Sequence, residues 1–247
     1  MLGKMVLDDS LFMVYEHKKD IKKLNHLMKK FVAPYATNWA QLRRVRKSGL
    51  EMSTYEQILS QMANQPYKDF DLEELANETT FKIILTEDSK KQFPYVHYKK
   101  GMVDKNIVIS LSAADDRADL KKYLQKLCEK SHKITICDNY FSNNWENTSS
   151  LFHSILPKHK LLIEYAAVCN NINAIQHSTT ITTAFVKSIC NDWEVKQSTY
   201  AKYNNCHDRY LLIENNENKI EIMFSSGFDH IWKENPKELS CLFSEVS

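Results

Sequence analysis

The stretch Cys206-His207-Asp208-Arg209-Tyr210-Leu211-Leu212-Ile213-Glu214 joins a polar start to an apolar run closed by a carboxylate. That pattern predicts a strand. Successive strand side chains point to opposite faces, so His207 and Arg209 are expected to share one face. An imidazole beside a fixed guanidinium suits a phosphodiester. The imidazole attacks phosphorus or moves a proton, and the planar fork binds two phosphate oxygens at once. Glu214 is expected as a structural or orienting carboxylate. Downstream, Phe224-Ser225-Ser226-Gly227-Phe228-Asp229 offers the hydroxyls of Ser225 and Ser226 as further phosphate donors. The competing description is a polar strand start with a local ion pair and no ligand.

Working outward, Lys133-Ile134-Thr135-Ile136-Cys137-Asp138-Asn139-Tyr140-Phe141 predicts another strand, ending in Asp-x-Tyr. A helix follows, then a strand over 160–168, a second helix and the His-bearing strand. The spacing H-x-R-x4-E resembles the H-x-K-x4-D signature of the phospholipase D superfamily, with Arg for Lys and Glu for Asp. The resemblance covers residues 78–247. It is similar to two groups: the C-terminal phospholipase D-like domain of MIT-domain proteins, and bacterial and phage-associated domains carrying His-Asp-Arg-Phe/Tyr. It implies an α/β fold, a phospholipase D-like mixed sheet flanked by helices, preceded here by a helical N-terminal extension over residues 1–77.

The resemblance also implies a mechanism. His207 would be the nucleophile and Arg209 the phosphate clamp, in a metal-independent phosphodiesterase of the nuclease kind acting in bacterial or phage-related defence. A second histidine must protonate the leaving oxygen. Single-motif members obtain it by forming a two-fold homodimer. The departures from the signature leave room for an alternative: a catalytically degenerate module that binds phosphate groups of nucleic acid, lipid or a partner protein. Arg is not interchangeable with Lys, because a planar fork replaces a point charge. In the MIT-linked domains the signature has lost its catalytic form, and the domain is associated with membrane lipid.

Composition narrows the field. The chain has 247 residues, 43% hydrophobic and 26% charged, as expected of a globular protein. No apolar run approaches the length needed to span a bilayer. Residues 1–10 lack a signal-peptide pattern. The six cysteines form no C-x-x-C pair, which argues against a zinc site and for reduced core thiols in a cytoplasmic setting. Glycine occurs only at Gly3, Gly49, Gly101 and Gly227, which excludes a P-loop and a dinucleotide fingerprint. No cofactor and no metal are expected. Net charge is only +2, so nucleic-acid binding must come from local patches.

Along the chain, residues 8–31 predict one helix. Ser53-Thr54-Tyr55-Glu56 has a capping-box pattern opening a second helix to Met62. Residues 65–77 are polar and irregular, and the domain boundary is expected there. Runs 80–86 and 106–111 predict strands, and 115–131 an amphipathic helix. Two further features bear on phosphate binding. Arg43-Arg44-Val45-Arg46-Lys47 is a basic cluster, with Arg43, Arg44 and Arg46 as candidate nucleic-acid contacts and Tyr35 and Trp39 nearby for stacking. The same cluster also suits a solvated helix C-terminus with Gly49 as cap. His97-Tyr98-Lys99-Lys100-Gly101-Met102-Val103-Asp104 matches H-x-K-x4-D literally, either as a second half-site or as a hairpin tip.

Overall fold

Short apolar triplets between amphipathic helices build the first half of the chain, and longer alternating strands build the second. The computed structural model describes residues 3–17, 20–30, 35–63, 67, 69–99, 102–103, 106–166, 171–203 and 208–246. Its mixed α/β architecture agrees with the expected fold class. The chain divides into two compact units, Met1–Lys105 and Asn106–Ser247. No helix among the described residues is long and apolar enough to cross a membrane.

The first unit runs β1 (Met5–Leu7), α1 (Asp9–His17), α2 (Ile21–Lys30), β2 (Tyr35–Ala36), α3 (Trp39–Lys47), α4 (Met52–Met62), α5 (Leu72–Asn77), β3 (Ile84–Thr86) and β4 (Tyr95–His97). Its four strands are all parallel, in the order β2-β1-β3-β4. Residues 1–77, expected as a helical extension, hold α1 to α5 together with the two short strands β1 and β2. The division falls after Lys105 because β3 and β4 pair onto β1, which draws residues 84–97 into the N-terminal sheet. Residues 8–31 hold two helices rather than one, the second capped by Asp20, which accepts from the Lys23 N–H at 2.9 Å. The capping box also lies elsewhere. Helix α4 starts after Glu51 without a side-chain cap, whereas Asp71 and Glu74 form a reciprocal box on α5, inside the stretch expected to be irregular.

After the edge strand β5 (Met102–Val103), the second unit runs β6 (Asn106–Leu111), α6 (Ala118–Cys128), β7 (Lys133–Cys137), α7 (Trp145–Thr148), α8 (Ser150–Ser154), β8 (Leu161–Ala166), α9 (Asn171–Thr180), α10 (Thr183–Ile189), β9 (Trp193–Gln197), β10 (Arg209–Glu214), β11 (Lys219–Phe224) and β12 (Leu239–Val246). The sheet order is β5-β6-β12-β11-β10-β7-β8-β9, with β7, β8 and β9 parallel and β10 antiparallel to β7.

The registers sort the side chains by face. Leu211 lies opposite Ile136 and Ile222, and Ile213 opposite Ile134 and Ile220. This apolar face receives the helices. Tyr123 of α6 stacks on Phe243, and His177 of α9 meets Tyr165. A ring chain from Phe224 through Phe228, Phe141 and Phe152 to Phe185 brings in α8 and α10. The other face is polar. Glu214 lies opposite Lys133 and Lys219, and Thr135 opposite Glu164.

Candidate functional site

Strand β7 ends at Cys137, and the antiparallel β10 begins beside that end with Arg209 and Tyr210. In open α/β sheets ligands gather outside the carboxyl ends of the parallel strands. Asp138, the first residue beyond β7, is 2% exposed. Its Oδ1 accepts the Tyr140 N–H at 2.9 Å, and its Oδ2 accepts the Phe228 N–H at 3.3 Å. Burial pushes the Asp138 carboxyl up from its ordinary range. The two main-chain donors and Arg209 oppose that rise, and the neighbouring Asp229 adds to it.

Arg209 is held beside this carboxylate without being consumed by it. Its Nε stands 4.0 Å from Asp138 Oδ1, too far for a hydrogen bond. The same Nε is buried and has no hydrogen-bond partner among the described residues, as is Asn139 Oδ1. The guanidinium carbon lies 5.9 Å from the centre of the Tyr140 ring, and Tyr140 is 55% exposed. A cation with an unspent donor and an exposed aromatic ring therefore meet at one end of the sheet.

Gly227 closes the arrangement by proximity. A Cβ there would stand 2.4 Å from Asp229 Oδ1 and 3.8 Å from Asp138 Oδ2. Asp229 is buried and carries an ion pair with Lys233. His230 is also buried, and its Nδ1 accepts the Lys237 N–H at 3.1 Å. Burial holds the His230 imidazole below its ordinary value against the pull of Asp229, and Lys233, Lys237 and Arg117 add to the lowering.

The sequence-predicted residues distribute unevenly. His207 lies outside the described residues. Arg209 is in the site. Glu214 is not, since it sits at the other end of β10, roughly 17 Å away at strand rise and on the opposite face. There Lys133 Nζ reaches it at 3.0 Å and Lys219 Nζ at 3.6 Å, and the Tyr200 hydroxyl donates at 3.1 Å. Burial would raise this carboxyl, but Lys133, Tyr200 and Lys219 hold it below its ordinary value. Ser225 and Ser226 are engaged by the chain near β12: Ser225 Oγ accepts the Ser240 N–H at 2.8 Å, and Ser226 Oγ donates to the Glu238 carbonyl at 2.9 Å. Sequence reasoning missed the site roles of Asp138 and Asp229, whose signals were the Asp-x-Tyr and Gly-x-Asp spacings.

In the first unit the basic cluster is internally paired. Arg43 bonds Asp69 at 2.6 Å and the Tyr67 hydroxyl at 2.9 Å. Arg44 Nε bonds Asp9 at 2.8 Å, and Arg46 bonds the Leu50 carbonyl at 3.0 Å. Gly49 follows α3 with φ of +105°, the left-handed conformation of a C-terminal cap. Arg44 and Asp9 also line a cleft of about 250 Å³ with Asp71, Leu72, Glu73 and Tyr95. His97 Nδ1 accepts the Lys99 N–H at 3.2 Å in a turn. Gly101 and Asp104 of that motif lie outside the described residues. Among the described residues no group of three or more His, Cys, Asp or Glu side chains is arranged to hold a metal ion. No protein-family model matches the chain, and no curated protein matches it.

Proposed function

We propose that this chain is a metal-independent phosphodiesterase of the nuclease kind, with Arg209 as the phosphate clamp and His207 as the nucleophile. The observation that carries the reading is the Arg209 guanidinium at the carboxyl end of β7. It is oriented by a buried carboxylate at 4.0 Å yet keeps an Nε donor without a partner. Such a cation, beside an exposed tyrosine, suits a phosphate attached to a ring-bearing group. In the proposed reaction His207 attacks phosphorus and forms a phosphohistidine. The leaving oxygen takes a proton from a second histidine, and water then releases the phosphate. The second histidine belongs to a two-fold related copy of the chain.

A phosphate-binding module without turnover is the second reading. It is favoured by the engagement of Ser225 and Ser226 in hydrogen bonds with the chain near β12. One experiment separates the two. Purified protein is assayed on single-stranded DNA, RNA and a chromogenic phosphodiester, with and without a chelator. The phosphodiesterase reading expects chelator-resistant cleavage that His207→Ala abolishes. The binding reading expects no turnover, unchanged binding in His207→Ala, and a loss in Arg209→Ala of about 1.5–3 kcal/mol, the worth of a charge-assisted hydrogen bond. Strict dependence on a divalent metal would overturn the histidine mechanism.

A further inference from the structure

The segment between the short turn Phe228–Ile231 and β12 is a strap with few fastenings. Its start is tied back, since the Lys233 N–H donates to the Asp229 carbonyl at 2.9 Å. Glu234, Asn235 and Pro236 make no hydrogen bond among the described residues. Lys237 is then gripped at both polar groups of its backbone. Its N–H donates to His230 Nδ1 at 3.1 Å, and its carbonyl accepts from Arg117 Nη2 at 3.0 Å. Both gripping side chains are buried, His230 at 9% exposure and Arg117 at 5%. The Glu238 carbonyl accepts the Ser226 hydroxyl at 2.9 Å, and β12 begins at Leu239.

A main-chain N–H only donates, so His230 Nδ1 must present its lone pair, and the neutral ring carries its proton on Nε2. A proton added at Nδ1 sets two donors face to face, and the Lys237 bond is lost. It also brings a positive charge close to Lys233, Lys237 and Arg117. Asp229 pulls the other way, but its carboxylate already pairs with Lys233. Helix α7, which packs against the same turn, adds the exposed Glu146. Burial favours the neutral ring as well. We infer that His230 is a pH-operated clasp: its neutral Nδ1 holds the strap 234–238 against the turn 228–231, and protonation there releases the strap at Lys237 while the sheet stays folded. The clasp needs no ligand, so it stands whether or not the chain cleaves phosphodiesters. The bland description is a buried ring that only fills space, with its contact to Lys237 incidental.

The test uses the full-length chain labelled with ¹⁵N. Ring-nitrogen shifts of His230 report its tautomer and its titration. Hydrogen exchange, corrected for the intrinsic effect of pH, reports the protection of the Lys237 amide. The amides of β10 and the Arg209 Nε–H signal report whether the sheet and its end stay folded. The expected result at neutral pH is a ring protonated at Nε2. As the ring takes up its second proton on acidification, Lys237 protection should fall about tenfold, while the β10 amides stay protected and the Arg209 signal persists. Asn reaches the Nδ1 position and does not titrate, so His230→Asn should keep Lys237 protected through the same pH range. Gln reaches the Nε2 position instead, so His230→Gln should leave Lys237 unprotected at every pH. A neutral ring protonated at Nδ1 would overturn the inference, as would Lys237 protection indifferent to the titration or equally lost in His230→Asn. Loss of the β10 amides together with Lys237 would be unfolding rather than release, and would overturn it too. Should a variant fail to fold, the tautomer and the titration of the unmodified chain still decide.

Discussion

At Gly227 the backbone φ is −59°, open to any residue, so the glycine is required by crowding rather than by conformation. A methyl group there would drive into Asp229 Oδ1 at 2.4 Å, and that oxygen belongs to a buried carboxylate already paired with Lys233. Gly227→Ala is therefore expected to destabilise the second unit by roughly 1–3 kcal/mol, the usual cost of overpacking. It should also disturb the Phe228 N–H bond to Asp138. Urea unfolding checks the first effect and the Arg209 Nε–H signal the second. A stable variant with an unmoved signal would show that the turn gives way freely. The sequence spacing pointed to this turn and to Arg209. It did not show that Asp138, which lies 71 positions before Arg209 in the numbering, is its counter-ion. That meeting depends on the Tyr210–Cys137 register of an antiparallel pair, which no local pattern encodes.

Elements of different length were legible to different degrees. The strand over 106–111, the helix inside 115–131 and the strands beginning near 133 and 160 all appear where alternation and amphipathic spacing put them. Of the N-terminal sheet only β3 falls in a run that the sequence marked, 80–86; β1, β2 and β4 were illegible because they run only two or three residues, too short to show a period of two. Helix α3 illustrates a second limit. Its basic run was visible, but the carboxylates that pair with it, Asp9 and Asp69, are distant in sequence. Replacing Arg43, Arg44 and Arg46 together should change the salt slope of nucleic-acid binding by less than the roughly one unit per residue of free phosphate contacts. A drop of about three units would instead make the cluster a phosphate-binding face. Helix α9 carries a pH effect. The folded chain holds His177, and likewise His230, below the ordinary histidine value, so the unfolded chain binds protons first. Stability is then fully present above about pH 6.5 and declines as pH falls from there towards the folded values. Urea midpoints between neutral and mildly acidic pH should fall on acidification, and His177→Gln should flatten that fall. An unchanged pH slope in the variant would exclude His177 as a source.

The second unit covers one sheet face with helices and leaves a row of charges on the other. Parallel strands are normally apolar on both faces. Here Glu164 and Glu214 lie nearly inaccessible on the polar face, compensated by Lys133, Lys196 and Lys219. Breaking one member of such a network leaves a buried charge uncompensated, so these residues belong to stability rather than to the proposed phosphate site. The site itself offers the Arg209 guanidinium beside Asp138, and the sequence offers one H-x-R motif there. Phosphoryl transfer through histidine needs an acid as well as a nucleophile, and a self-complementary two-fold contact would supply it from a second copy. The proposed phosphodiesterase should therefore be a homodimer whose activity requires His207 from both chains. Mixing His207→Ala subunits with an equal amount of wild type, after exchange, should leave about a quarter of the activity under random pairing, where simple dilution leaves about half. Light scattering at micromolar concentration checks the assembly itself. A fully active monomer would refute the shared site and direct the search for the second histidine to His97, whose Nδ1 already accepts the Lys99 N–H.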